Sequence, residues 1–298
     1  MKNILIIGCG LLGSSLLRRI QKKNLAKKIY IYEKSKANIA KIKKLKLPGQ
    51  IVNKLQNGVI NSDLIILCTP MSEYKNIILK MNKFLSPKTI ITDIGSSKLE
   101  SSKIIKKFLR KDIFWTSSHP IAGSEVSGPE NGKQDMFENK WCVLIKEKRT
   151  KKNHLIFLNK FWKKIGSKVI SMTSEKHDRV FSITSHLPHL IAYNLVKSAQ
   201  DFEKKQDYDL IKFSAGGLRD FSRIAASNEI MWRDIFFNNS QNMKVAIDLF
   251  IKNLNSFKKD INSKNNKSIL KKLIQTKKVR TKIIKLKQDI NKPDFGRN

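Results

Sequence analysis

Apolar runs and amphipathic stretches alternate along the first half of the chain. Unbroken runs of aliphatic and β-branched residues predict strands at 3–7, 29–32, 63–68, 88–92, 113–117, 141–146 and 168–172. Apolar residues at helical spacing predict helices at 11–23, 36–46, 72–83 and 98–110. Strands that are apolar on both faces and separated by helices are typical of a parallel sheet covered on two sides. The pattern therefore predicts a doubly wound, mainly parallel α/β fold.

Only helical periodicity follows the last predicted strand. Helices are predicted at 174–202, 206–213, 228–261 and 266–289, and Pro188 is expected to kink the first of them because it removes a backbone hydrogen bond. The chain is thus expected to hold two domains, the sheet domain at 1–172 and an all-α domain at 173–298. The last helix keeps an apolar stripe, which favours a packing partner, and by fold analogy we expect a homodimer.

A glycine motif joins the first predicted strand to the first helix. Gly8, Gly10 and Gly13 follow the strand directly, and Glu33 ends the second strand 20 residues past Gly13. In a Rossmann-type site the first glycine permits the tight turn, the second lets a pyrophosphate approach the backbone, and the third lets the helix pack on the strand. The spacing therefore predicts a dinucleotide-binding site.

The acidic residue indicates which dinucleotide is bound. Glu33 is placed to accept hydrogen bonds from ribose hydroxyls, which favours NAD because a 2′-phosphate would meet a carboxylate. Lys34 and Lys36 leave NADP possible, since either ammonium can reach toward a phosphate. Further cofactor contacts are expected at the start of the first helix and after strand 63–68, at Leu11, Leu12, Thr69 and Pro70.

Charge and composition narrow the class of protein. The 298 residues include 60 Lys and Arg against 24 Asp and Glu, a net charge of +36, but the lysines fall on predicted solvent faces without an aromatic-interleaved stripe. We therefore predict no nucleic-acid partner, although a basic nucleic-acid-binding protein is the non-enzymatic alternative. No apolar run is long enough for a membrane span. Cys9, Cys68 and Cys142 lie in strand-like contexts, as expected of buried thiols in a cytoplasmic protein.

The candidate chemistry follows the predicted strands. His119 comes after the strand predicted at 113–117, and ligands of open α/β sheets bind outside the carboxyl ends of strands. A histidine there suits a general base that removes a hydroxyl proton while a hydride leaves. Ser96, after the strand at 88–92, is placed to bind the same hydroxyl or to orient His119. His186 and His189 lack a third ligand at suitable spacing, so no metal is predicted.

A second group of candidates lies in the helical half. Gly216 and Gly217 precede Arg219 and Arg223, which predicts a turn that presents backbone N–H groups and a guanidinium to an anion. A surface helix break with unpaired arginines is the plain alternative. The number of glycines and arginines in so short a segment favours an anionic substrate.

Together these segments resemble the prephenate/arogenate (cyclohexadienyl) dehydrogenase family of tyrosine biosynthesis. The resemblance extends over nearly the whole chain, and it rests on the matching positions 8–13, 93–98, 119–128, 136–137, 177–178, 185–189, 216–223 and 231–232. The resemblance implies oxidation of the ring hydroxyl of prephenate or arogenate by NAD or NADP, with loss of the ring carboxylate as CO2. Leu218 and Ser222 depart modestly from the family pattern, which usually has Phe and Thr there.

The resemblance also implies individual roles. His119 corresponds to the base and Ser96 to its hydrogen-bonding neighbour, while Arg223 corresponds to the carboxylate clamp. The remaining matches contact the substrate or shape and gate its pocket: His189, Glu125, Asp178, Gly216 and Trp232. A β-hydroxyacid dehydrogenase or an imine reductase is the alternative enzyme, although such proteins should lack the segment around His119.

Overall fold

A computed structural model describes residues 2–148, 150–206, 209–286 and 288. Five parallel strands form the larger sheet: β1 Lys2–Ile7, β2 Ala26–Tyr32, β3 Gln50–Ile51, β4 Leu64–Leu67 and β5 Ile90–Asp93. Their order across the sheet is β3-β2-β1-β4-β5. The chain crosses to the far side of β1 after β3, so the carboxyl ends of β1 and β4 flank the point where the strand order reverses. Such a switch point is where open α/β sheets bind ligands.

Helices cover both faces of this sheet. Those of the first half are α1 Leu11–Lys22, α2 Lys36–Lys44, α3 Leu55–Ile60, α4 Tyr74–Met81, α5 Leu99–Phe108 and α6 Lys152–Ile165. Strand β1 is buried on both sides: Ile4 and Ile6 join the core that includes α1 and α6, whereas Leu5 and Ile7 join the core beneath α3 and α4. Helices α3 and α6 are additions to the predicted elements. The doubly wound architecture is confirmed.

The region around His119 differs from the sequence prediction. No strand spans 113–117; Trp115 makes one isolated parallel bridge to Ile91. The strand begins only at Ser118, three residues after Trp115. It belongs to a second sheet of three strands: β6 Ser118–Pro120, β7 Trp141–Ile145 and β8 Lys168–Met172. Strand β6 runs antiparallel to β7, with His119 opposite Val143. His119 therefore lies within a short strand rather than beyond the end of one.

The helical half begins at Ser174. Its helices are α7 Ser174–Phe181, α8 Leu187–Gln206, α9 Gly216–Ala225, α10 Glu229–Asn238, α11 Ser240–Asn262 and α12 Asn266–Lys285. A π-helical turn, Ser182–His186, separates α7 from α8 just before Pro188. Because proline cannot donate the regular i→i−4 bond, the wider turn is the physical form of the predicted interruption.

Two other helix predictions change in detail. The helix predicted at 228–261 is split at Asn239, which closes α10 and precedes α11. The turn predicted at the paired glycines is instead the start of α9. Of the helix predicted at 206–213, residues 211–213 form a short 3₁₀ turn, and residues 207–208 lie outside the described residues. The end of the helix predicted at 266–289 also lies partly outside them.

Helix α10 joins the two halves. Trp232 and Ile235 are 5% and 2% exposed and pack into the core beneath α3 and α4. Asp234 on the same helix accepts a hydrogen bond from the Ser72 backbone N–H at 2.9 Å. The helical half therefore completes one face of the larger sheet. No helix within the described ranges has the length and apolarity that a membrane crossing requires.

Candidate active site

The glycine motif forms the turn between β1 and α1. Gly8 has φ +88°, and a Cβ there would lie 2.8 Å from Thr69 Cγ2 and 2.9 Å from the Cys68 carbonyl oxygen. A Cβ on Gly13 would lie 2.2 Å from the Gly8 carbonyl oxygen. By contrast, a Cβ on Gly10 would meet no heavy atom within 4 Å. Open space at Gly10, in front of the first N–H groups of α1, fits a pyrophosphate.

Glu33 lies beside this turn at the end of β2. Its carboxylate accepts hydrogen bonds from the Cys9 and Ser35 backbone N–H groups, each at 2.8 Å. These contacts fix the carboxylate where a ribose would lie. Lys34 points to another partner, because its ammonium pairs with Glu73 at 2.5 Å. A carboxylate that can accept hydrogen bonds, with the Lys34 ammonium paired elsewhere, therefore fits a dinucleotide whose ribose hydroxyls are free.

A buried ion pair lies at the end of β5. Lys98 Nζ is 2.6 Å from the Asp93 carboxylate, and both side chains are 0% exposed. Asp93 also accepts hydrogen bonds from the Tyr74 hydroxyl and the Trp115 indole N–H, each at 3.0 Å. Lys98 Nζ donates as well to the Ser118 carbonyl at 2.7 Å. This network ties the 93–98 loop, which carries Ser96, to the strand of His119.

His119 is buried behind that loop, with 8% of its surface exposed. Its Nδ1 lies 2.7 Å from His177 Nε2, and the ring packs against Phe181 with centroids 5.0 Å apart. Burial, helped by His177 and the Lys98 ammonium, holds the pKa of His119 well below its usual range. The imidazole is therefore neutral at physiological pH and able to accept a proton.

Asp178 lies deeper than a substrate contact would. Its side chain is 0% exposed, and its two carboxylate oxygens accept hydrogen bonds from the Lys98 and Leu99 backbone N–H groups, each at 2.8 Å. These N–H groups belong to the first turn of α5, so Asp178 caps that helix from a distant segment. The structure thus places Asp178 behind His177, one layer away from the open side.

His189 and Trp232 meet at the junction of α8 and α10. Their rings stack with centroids 3.8 Å apart and an interplanar angle of 23°. His189 Nδ1 is 2.9 Å from the Ser185 carbonyl, to which it donates, so its Nε2 is left available to a ligand. Burial lowers the pKa of His189. Trp232 lies beneath the imidazole and fixes its plane.

Arg223 extends from α9 toward the loop that follows His119. Its guanidinium lies 3.4 Å from the Glu125 carboxylate and 3.7 Å from that of Asp220. Gly216 begins the same helix, and no heavy atom lies within 4 Å of a Cβ added there. This arrangement puts a partly exposed guanidinium on the side of the site that the helical half contributes.

Family models match both halves of the chain. The nucleotide-binding domain of prephenate dehydrogenase matches residues 16–171, and the prephenate dehydrogenase dimerization domain matches residues 173–276. The chain belongs to the prephenate dehydrogenase family. Members of this family are oxidoreductases, so the predicted family and class of enzyme are confirmed.

Individual relatives agree with this membership. A cyclohexadienyl dehydrogenase of Zymomonas mobilis is 32% identical over 94% of this chain and 95% of its own length. A Bacillus subtilis prephenate dehydrogenase is 30% identical over 86% of this chain and 69% of its own length. The crystal structure of an Aquifex aeolicus prephenate dehydrogenase, solved with hydroxyphenyl propionate and NAD+, superposes with a TM-score of 0.88 at 33% identity, covering 95% of this chain and 98% of that one.

Within this prephenate dehydrogenase fold, the sequence-predicted residues lie in three groups. The first surrounds the glycine turn and includes Thr69 and exposed Pro70 after β4. The second is formed by His119 and the 93–98 loop. The third lies in the helical half, where His189 stacks on Trp232 and Arg223 extends from α9 toward Glu125. Ser96 is half-buried in the loop that the Asp93–Lys98 pair ties to the strand of His119. Its partnership with His119 stays a prediction.

Sequence reasoning gave no role to Asp93, Lys98 or His177. Lys98 looks like one of many surface lysines in a chain with 60 basic residues. His177 lies 58 residues from His119, and nothing in the spacing indicates that their rings meet. One chemical signal was available. Lys98 follows an apolar strand, the aspartate at its end, Asp93, and a serine pair, and a lysine there is more easily explained as the buried partner of that aspartate than as a surface residue.

Proposed function

We propose that the protein carries out NAD-dependent oxidative decarboxylation of prephenate to 4-hydroxyphenylpyruvate, or of arogenate to tyrosine, in tyrosine biosynthesis. The observation that carries the proposal is that His119 is buried on β6, where its neighbour Ser118 is hydrogen-bonded to Thr92 of β5 and to Lys98, in a chain whose β1–α1 turn has the open glycine of a dinucleotide site. Alcohol oxidation by hydride loss requires such a base next to a dinucleotide. Relatives named for prephenate and cyclohexadienyl substrates support the same reaction.

The dinucleotide would be held by the glycine turn, the N-terminus of α1, Glu33 and the segment after β4 with Thr69 and Pro70. When bound, NAD supplies the acceptor for the hydride that leaves the hydroxyl-bearing ring carbon. Glu33 selects against a 2′-phosphate, and pairing of Lys34 with Glu73 keeps that ammonium from offsetting the selection. The Aquifex aeolicus relative contains NAD+, which agrees with this choice.

His119 takes up the ring hydroxyl proton at Nε2 while Ser96 orients the hydroxyl. The O–H bond breaks, its electrons form the C=O bond, and the hydride departs from the same carbon. The C–C bond to the ring carboxylate then breaks and CO2 leaves. The electrons of that bond complete the aromatic ring and return the C=O π pair to the oxygen, which takes the proton back from His119 and becomes the phenol hydroxyl. The chain therefore has to orient the hydroxyl and to hold and return one proton, because aromatisation drives the rest.

The substrate would be bound mainly from the helical half. Arg223 binds a carboxylate through its guanidinium, with Glu125 as the partner that it exchanges for the substrate. The open space at Gly216 and the free Nε2 of His189 complete the contacts. Trp232 and Asp178 act indirectly, since each is buried behind a residue nearer the open side.

A homodimer is the assembly that we propose. Helix α9 has no buried residue in the single chain. Large apolar side chains are exposed in the 3₁₀ turn before it and on α10 and α11: Phe213 is 76%, Phe237 71% and Val245 68% exposed. Such a surface is typical of a partner interface. The match to a dimerization domain supports it. Light scattering of the purified protein should give twice the chain mass, and a monomer at micromolar concentration would contradict the proposal.

The domain division and location are proposed on narrower grounds. Strand β8 ends at Met172 and α7 begins at Ser174, which supports domains at 1–172 and 173–298. The three cysteines are free in the structure, as suits a reducing compartment such as the cytoplasm.

The decisive assay measures formation of the reduced cofactor from prephenate and from arogenate, with NAD+ and with NADP+. We expect turnover with NAD+ and at least one of the two substrates. Turnover with a β-hydroxyacid, or reduction of a cyclic imine, in place of both would instead favour the alternative dehydrogenase or reductase.

His119→Asn tests the base. The variant should bind NADH as the wild type does while kcat falls about 10²- to 10⁴-fold, because a general base contributes that much. Binding is measured by NADH fluorescence and kcat by steady-state kinetics. Unchanged kcat would remove His119 from the reaction.

A further inference from the structure

Two buried side chains continue from His119 into the protein. His119 Nδ1 is 2.7 Å from His177 Nε2, and His177 Nδ1 is 2.7 Å from Asp178 Oδ1. His177 and Asp178 are both 0% exposed. The three groups form one hydrogen-bonded chain that leads away from the open side of the site.

The direction of each hydrogen bond follows from the last member. A carboxylate only accepts, so His177 Nδ1 carries the hydrogen and donates it to Asp178. Burial lowers the pKa of His177, so this ring is neutral and its Nε2 holds a lone pair. His119 must then donate from Nδ1. The lone pair of His119 is therefore on Nε2, the ring nitrogen that is not hydrogen-bonded to His177.

Asp178 is held in place from several sides. Two N–H groups at the start of α5 bind its carboxylate, and Asn239 Nδ2 donates to its backbone carbonyl at 2.8 Å. Asp178 cannot rotate without uncapping α5. The orientation of His177, and through it that of His119, is therefore fixed by a helix end.

The other charged and titratable groups around His119 come from four elements. They are Asp93 and Lys98 at the end of β5 and start of α5, His186 in the π-helical turn and Cys142 on β7. Lys98 is paired with Asp93, and burial lowers the pKa of His186 to about 4. When His119 takes up a proton, its hydrogen bond to His177 is the contact that can spread the positive charge toward Asp178.

We propose that His177 and Asp178 are positioning residues that hold His119 in the Nδ1–H tautomer, with Nε2 free to take the substrate proton. The inference rests on the proposed function. In the step itself the substrate O–H bond breaks and an Nε2–H bond forms on His119; the two hydrogen bonds behind it remain and spread the positive charge toward the Asp178 carboxylate. A wrong tautomer would present N–H, which cannot accept a proton.

The tautomer can be read without any catalysis. In wild-type protein labelled with ¹⁵N-histidine, NMR at pH 7 to 8 should show a protonated Nδ1 and an unprotonated Nε2 for His119, assigned by its loss in His119→Asn. A protonated Nε2 in the wild type overturns the proposal. This result does not depend on the substrate, so it is valid even if neither prephenate nor arogenate is turned over.

Three variants complete the test through kinetics. His177→Leu removes the acceptor and should lower kcat at least about 10-fold, with the KM values and NADH affinity within about 2-fold of wild type. His177→Gln offers a carbonyl at a similar reach and should recover most of that loss. The matched control is His154→Leu. It removes another buried histidine, one that does not belong to the His119–His177–Asp178 hydrogen-bonded series, and it should leave kcat unchanged.

The variants also allow a clear refutation. Equal kcat values for His177→Leu and His177→Gln would show that the ring serves only to fill space. An unchanged His119 tautomer in His177→Leu would show that something else sets it. If the wild type turned over neither substrate, the proposed function would be refuted. The tautomer measurement would then remain as the test of the hydrogen-bonded series.

Discussion

Gly10 and Gly13 differ in why they must be glycine. At Gly13 the constraint is internal, since a Cβ would lie 2.2 Å from the Gly8 carbonyl oxygen. At Gly10 the surrounding space is open to at least 4 Å. One residue thus serves the packing of α1 on β1, and the other serves a molecule that approaches from outside.

Alanine at each position should separate these two roles. Gly10→Ala should unfold at the wild-type temperature but bind NADH at least about 10-fold more weakly, because its methyl group occupies the pyrophosphate's approach. Gly13→Ala should lose about 1–3 kcal/mol of stability through overpacking. Thermal unfolding and NADH fluorescence titration measure the two effects. Wild-type NADH affinity in Gly10→Ala would contradict the assignment of the turn.

At this scale the sequence predicted residues whose chemistry depends on local spacing. The glycines and Glu33 belong to one short unit, so their spacing determines their geometry. Lys98 and His177 could not be predicted, because their roles arise from contacts between segments far apart in the chain. Asp178 was expected at the pocket wall, but its capping of α5 becomes visible only when α7 and α5 are seen together.

Among the elements, α10 is one that joins the two halves. Ile235 is 2% exposed and contributes to the core under the larger sheet, whereas Ile230 on the same helix is 44% exposed. Ile235→Ala should cost about 2–5 kcal/mol, as cavity-forming substitutions do. The matched Ile230→Ala should cost well under half as much. Urea denaturation measures both, and equal losses would show that α10 is not a core element.

The wrong element predictions share a physical cause. The apolar run at 113–117 has strand propensity but pairs with β5 only at Trp115, because the chain turns there into the second sheet. Paired glycines weaken a helix, yet α9 begins with them because the first turn needs no preceding hydrogen bonds and α8 packs beside it. Tertiary contacts, which periodicity cannot show, decided both cases.

The whole molecule carries a net charge of +36. Prephenate has two carboxylates and no cation, while arogenate has an ammonium in addition, so attraction to the protein should be stronger for prephenate. We expect kcat/KM to fall about 10-fold between about 0.01 M and about 0.5 M salt, and to fall more for prephenate than for arogenate. Because screening acts on encounter and binding, kcat at saturation should stay constant. Salt-independent kcat/KM would show that the charge is not felt at the site.

All five histidines of the chain have pKa values lowered by burial. Each binds a proton near pH 6.5 when the chain is unfolded but resists it when folded, so the free energy of unfolding falls as pH drops below about 6.5. For His186 the fall ends near its folded pKa of about 4 and amounts to about 3 kcal/mol. Melting temperatures measured from pH 8 down to pH 4 should decline throughout the lower half of that range, with proton uptake on unfolding. An interior built to keep imidazoles uncharged thus makes this protein acid-labile under mildly acidic conditions that leave most surface charges unchanged.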